Sequence, residues 1–164
     1  MSNVDTPPRG LIAASLLLAV IATLLPLPPS IIWWSPCWVM MVLTHWQLYT
    51  HRSCGMVLAF FIGLWLDLAL GTLLGEHALA LVVSSYATLR FQRPMRLASL
   101  FGRTVLIFFI SLSYCTILLI TSALEGHVHG QWWYWFPAVT TALFWPTLSQ
   151  VLFYYTNRKF RLQN

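Results

Sequence analysis

Six apolar stretches separated by short polar breaks govern what this chain can fold into. They run over residues 11–27, 31–49, 56–74, 78–91, 105–124 and 136–155. The second, third, fifth and sixth reach about the 20 residues that a bilayer-spanning helix needs. The first and fourth are shorter, and the first closes on Pro26, Pro28 and Pro29. Charge is scarce: nine Lys or Arg and four Asp or Glu stand among 164 residues, of which 59% are hydrophobic. A soluble domain carries about a quarter charged residues, so the composition belongs to the membrane class. The pattern predicts an all-α membrane protein, a bundle of about six transmembrane helices forming a single integral membrane domain over residues 1–164.

The arginines set the orientation. With the N-terminus in the cytoplasm and six helices threaded, Arg9, Arg52, the loop cluster Arg90, Arg93, Arg96 and Arg103, and the tail Arg158, Lys159 and Arg161 all fall inside. The other side receives Glu76 and Glu125 and no Lys or Arg, the partition that the positive-inside rule demands. Both termini are then cytoplasmic, and removing one helix would scatter the charges. The cluster at Arg90, Arg93, Arg96 and Arg103 sets topology, and it can also meet anionic lipid headgroups or an acidic cytoplasmic partner. The net charge of +5 has no basic-aromatic motif beside it, so nucleic acid is not the expected partner. Tryptophans and tyrosines mark helix ends as an aromatic belt: Trp33, Trp34, Trp38 and Trp132 to Trp135 on the outer side, Trp46, Tyr49, Tyr154 and Tyr155 on the inner. Ala19-Val-Ile-Ala22 is a poor cleavage signature, so the first segment is expected to remain as a helix.

No soluble domain is expected. The longest loop, 92–104, is polar and basic, and nine residues follow Tyr155. Cys37, Cys54 and Cys115 fall at different depths and contain no C-x-x-C, which suits packing rather than a disulfide framework.

One carboxylate interrupts the third stretch, in Gly63-Leu-Trp-Leu-Asp67-Leu-Ala-Leu-Gly71-Thr-Leu-Leu-Gly75. An acid inside a membrane helix costs roughly 2.5–3.5 kcal/mol on insertion scales, so it faces protein or water and usually has a role. Asp67 has three readings: a structural carboxylate satisfied by hydroxyls, backbone N–H groups or a histidine; a contact to a partner; or an ion or proton relay. A relay calls for further intramembrane ionisable groups, and only His45 lies inside another span. Gly55, Ala59, Gly63, Asp67, Gly71 and Gly75 recur every four residues, a small-residue ridge along which another backbone can approach. Gly71 and Gly75 also suit a helix end. Trp145-Pro146 implies a kink in the last helix.

Catalysis finds no residue set. There is no nucleophile–base pair, no paired carboxylates and no phosphate-cradling loop, so neither an enzyme nor a cofactor is expected. His127 and His129 follow Glu125 without a third firm ligand, and no metal site is expected there.

These residues resemble the MreD family of bacterial rod shape-determining membrane proteins. The likeness covers most of the chain from about Pro26 to the basic tail. It is densest in Ser35-Pro36-Cys37-Trp38-Val-Met-Met-Val-Leu, in the Gly63 to Gly75 segment, and in Leu143-Phe-Trp145-Pro146. Family proteins tend to carry an arginine where Ser35 stands here. The resemblance implies a non-catalytic scaffold or regulator of the elongation complex, controlling cell shape and lateral peptidoglycan synthesis from the bacterial inner membrane as a multi-pass protein. It implies an MreC-like bitopic partner, with MreB filaments, RodA and its partner transpeptidase in the wider complex. It marks Gly63, Asp67, Gly71 and Gly75 as a partner-binding or structural motif and Pro36, Trp38, Trp145 and Pro146 as structural. The family's fold is similar to the six-helix substrate-binding components of energy-coupling-factor vitamin transporters. A substrate-binding component of a small-molecule transporter is therefore the alternative reading.

Overall fold

A computed structural model describes residues 9–26, 28, 34–49, 55–124, 126 and 132–161, without the side chains of residues 9, 132, 133 and 156–161. Its helices are α1 (Arg9–Leu24), α2 (Trp38–Tyr49), α3 (Met56–Leu70), α4 (Glu76–Arg90), α5 (Gln92–Leu97), α6 (Leu100–Leu124) and α7 (Phe136–Arg161), with a 3-10 turn at Trp132–Trp135 leading into α7. The described residues contain no strand.

α2 is the axis of the bundle. Every residue from Val39 to Leu48 is buried, including Thr44, His45 and Gln47, as expected of a helix enclosed on all sides. α1, α4 and α7 pack around it, α3 pairs with α4, and α6 lies against α4 and α7. Outward faces are apolar: Val57 is 70% exposed, Leu68 65% and Leu143 70%. Such a surface suits a hydrocarbon solvent rather than water. By length and composition α6, at 25 residues, is long and apolar enough to cross a membrane, while Gly10–Leu24 and Met56–Leu70 are shorter apolar helices.

Several boundaries differ from the sequence reading. α3 stops at Leu70 because Gly71 turns left-handed at φ 66° and its N–H bonds back to the Asp67 carbonyl. The expected loop 92–104 is largely helical: Gln92–Leu97 forms α5, and α6 already begins at Leu100. Pro94 is compatible because it sits in the first turn of α5, where an N–H has no helical partner anyway. Pro146 lies inside α7. Residues Cys54, Glu125, His127 and His129 lie outside the described residues.

The start of α2 packs against α7. The Cys37 N–H donates to Thr141 Oγ1 at 2.9 Å, tying the start of α2 to α7. The Pro36 carbonyl accepts the Trp38 N–H at 2.8 Å. Ring contacts join Trp38 to Phe144 (6.1 Å) and His45 to Trp145 (6.1 Å), so the segments around Pro36 and Pro146 share one helix interface.

Candidate functional site

Asp67 lies in the last turn of α3 and is fully buried. Its carboxylate reaches across the turn to the start of α4. Oδ2 accepts the Gly75 N–H at 2.8 Å, and Oδ1 accepts the His77 N–H at 2.8 Å. The His77 ring adds a contact, with Nδ1 3.0 Å from Oδ1, and the Ala78 N–H and Thr72 Oγ1 stand farther off at 3.4 Å. The first N–H groups of a helix have no partners within it, and they carry the positive end of the helix dipole. α4 thus takes its N-terminal cap from the preceding helix, an arrangement that also matches a negative group to that dipole.

The glycines make this reach possible. At Gly63, one turn back on α3, a Cβ would fall onto the Ala78 Cα and lie 2.6 Å from its N and 2.8 Å from the His77 carbonyl carbon. Only a residue without a side chain lets α4 lie this close. Gly71 and Gly75 have open space around them, and their role is conformational: φ is 66° and 103°, backbone that L side chains rarely adopt. The four residues therefore act together as a tight corner, one for close approach, one for capping and two for the reversal.

Beside this corner opens a cavity of about 410 Å³, lined among others by Ser35, Glu76, His77, Tyr114, Cys115 and Ser122. Glu76 is almost wholly buried, and its Oε1 accepts the Thr121 hydroxyl at 2.8 Å. The His77 ring meets Tyr114 edge-on at 6.5 Å. Cys37 and Cys115 are free thiols and both line this cavity. Among the described residues no group of three or more His, Cys, Asp or Glu is placed to hold a metal.

At the far ends of α2 and α4 stands the basic cluster. Arg90, Arg93 and Arg96 are exposed and Arg103 is half-buried. Gln92 Nε2 donates to the Gln47 and Leu48 carbonyls (2.8 and 3.2 Å), and Arg96 Nε to the Leu48 carbonyl (2.6 Å). The open C-terminal carbonyls of α2 are thereby capped from α5.

Sequence reasoning did not single out His77 and missed its part in the corner. The signal was available: it follows Gly75 at the start of an apolar helix, where N–H donors await an anion. Gln92 escaped notice because residues 92–104 read as loop.

Fold and corner together define a helical protein with an apolar outer surface, whose intramembrane-type carboxylate serves its own backbone. Residues 7–155 match the family of rod shape-determining protein MreD. A rod shape-determining protein MreD of Haemophilus influenzae is 30% identical over 132 residues, which is 79% of this chain and 80% of that relative. The chain belongs to the MreD family and so to the proteins of rod-shape determination. No solved structure matches it.

Proposed function

We propose that this chain is a non-catalytic, multi-pass scaffold of the inner membrane, working in the rod-shape complex through protein partners. An MreC-like bitopic protein is its immediate partner, with MreB filaments, RodA and its transpeptidase in the wider assembly that builds the lateral wall. The observation that carries this reading is the occupancy of Asp67, whose two oxygens are taken by the chain's own N–H groups at Gly75 and His77. A carboxylate engaged in this way holds a shape. In this reading Gly63, Asp67, Gly71 and Gly75 serve the partner contact indirectly, by fixing how α3 and α4 present their outer faces. The basic residues at Arg90, Arg93, Arg96 and Arg103 keep that end of the bundle in the cytoplasm. Depleting the protein from its rod-shaped host tests the proposal: cells are expected to round and widen before growth stops. Cells that remain rods overturn it.

The cavity of about 410 Å³ beside Glu76 and His77 favours a second reading, a small-molecule-binding component of a transporter. Its volume falls within the range of ligand pockets, about 300–1,000 Å³. A thermal-shift screen against vitamins separates the two, since the scaffold reading expects no shift.

A further inference from the structure

The cytoplasmic-side arginines fall into two kinds. Arg90 and Arg93 are exposed and their side chains form no hydrogen bond among the described residues, as suffices for topology. Arg96 and Arg103 instead line one cleft of about 270 Å³, together with Leu48, Tyr49 and Met95. Their guanidinium heads are held in place. Arg96 Nε donates to the Leu48 carbonyl (2.6 Å) and Arg103 Nε to the Ala98 carbonyl (3.1 Å). Arg103 Nη1 donates to Tyr49 Oη (3.3 Å) and Nη2 to the Arg96 carbonyl (3.0 Å).

Two cations converging on one cleft repel each other unless an anion joins them. Here no carboxylate does so among the described residues. Asp67 and Glu76 sit at the opposite end of α4, and the one ion pair described joins His77 to Asp67. Each head keeps N–H groups beyond those bonds, in the planar fork that matches phosphate oxygens. Apolar side chains stand next to these arginines along the chain: Leu97, which follows Arg96, is 89% exposed, and Leu100 and Phe101, in the same first turn of α6 as Arg103, are 61% and 79% exposed. A free phosphate has no use for such apolar neighbours.

We propose that Arg96 and Arg103, with Tyr49 Oη, bind the phosphate of an anionic phospholipid whose acyl chains lie against Leu97, Leu100 and Phe101. The site rests on the membrane-embedded reading but not on any protein partner, so it stands or falls separately from the scaffold function. The lipid would lock α5 to the ends of α2 and α6, because one headgroup touches side chains from all three elements.

Native mass spectrometry of the full-length protein released from micelles tests this, with phosphatidylglycerol, phosphatidylcholine and inorganic phosphate added in turn. Phosphatidylglycerol is expected to stay bound at least tenfold more strongly than phosphatidylcholine. Arg103→Gln should lower its retention about tenfold, while Arg90→Gln and Arg93→Gln change it less than twofold. If Arg103→Gln melts abnormally, Arg103→Lys keeps the charge but loses the fork, and a loss of about threefold is expected. Equal losses from Arg103→Gln, Arg90→Gln and Arg93→Gln would overturn the site in favour of diffuse surface charge. Equal retention of the two lipids would overturn it too, as would inorganic phosphate binding as tightly as phosphatidylglycerol.

Discussion

Replacing Asp67 by alanine removes the acceptor for three backbone N–H groups, those of Gly75, His77 and Ala78, and for the His77 ring. The two backbone bonds at 2.8 Å are of full strength, whereas the Ala78 bond at 3.4 Å is weak. Loss of an N-cap costs about 0.5–2 kcal/mol, and a buried donor left unpaired about 1–3 kcal/mol. Counting two strong donors and the ring, Asp67→Ala should destabilise the protein by about 4 kcal/mol. Asp67→Asn separates shape from chemistry. It keeps one acceptor oxygen but turns an amide N–H toward one of the two donors, so about 2 kcal/mol should be lost. The assay is reversible unfolding of the purified protein in mixed micelles of a mild detergent and increasing SDS, followed by circular dichroism. Wild type, Asn and Ala should fall in that order of midpoint. A loss below about 1 kcal/mol for Asp67→Ala, or an Asp67→Asn protein as stable as wild type, would refute the capping argument.

Other perturbations probe the remaining contacts in the same assay. Gly63→Ala should cost about 1–3 kcal/mol, because the clash is with backbone at Ala78 that no rotamer change relieves. Gly10→Ala, with open space at its Cβ and a helical backbone, should be neutral or slightly stabilising, and equal behaviour of the two would sink the close-approach argument. Gln92→Ala frees the Gln47 carbonyl and half-frees that of Leu48, so a loss of about 1–2 kcal/mol is expected, with faster amide exchange confined to the last turn of α2.

The spacing of Gly63, Asp67, Gly71 and Gly75 made the corner visible as a pattern, yet not as a mechanism. Four-residue recurrence states that small residues share a ridge, and it is silent on which neighbour that ridge meets. That Gly63 faces the backbone of Ala78, while Gly71 and Gly75 face open space and matter for φ, depends on where α4 docks. The position of His77 at a helix start was legible, but its pairing was not, because it arises from the turn geometry that brings its N–H within 2.8 Å of Asp67. The helices were legible from apolar run length, but their ends were not. Hydrophobicity continues through Leu73 and Leu74, while the chain has already reversed at Gly71. In 92–104 the arginines outweighed the local signal, although Gln92 and Met95, three residues apart, form the buried side of α5.

Capping across the turn also bears on how the protein is made. The donors that satisfy Asp67 belong to residues 75–78, so α3 leaves the ribosome with a bare carboxylate. Alone, that helix would enter a bilayer against roughly 2.5–3.5 kcal/mol. The charge is answered only when Gly75 and His77 have been added and α4 has begun to wind. On the multi-pass reading proposed above, insertion of α3 and α4 as one hairpin is favoured, with Asp67 delaying the commitment of the first helix until the second has arrived.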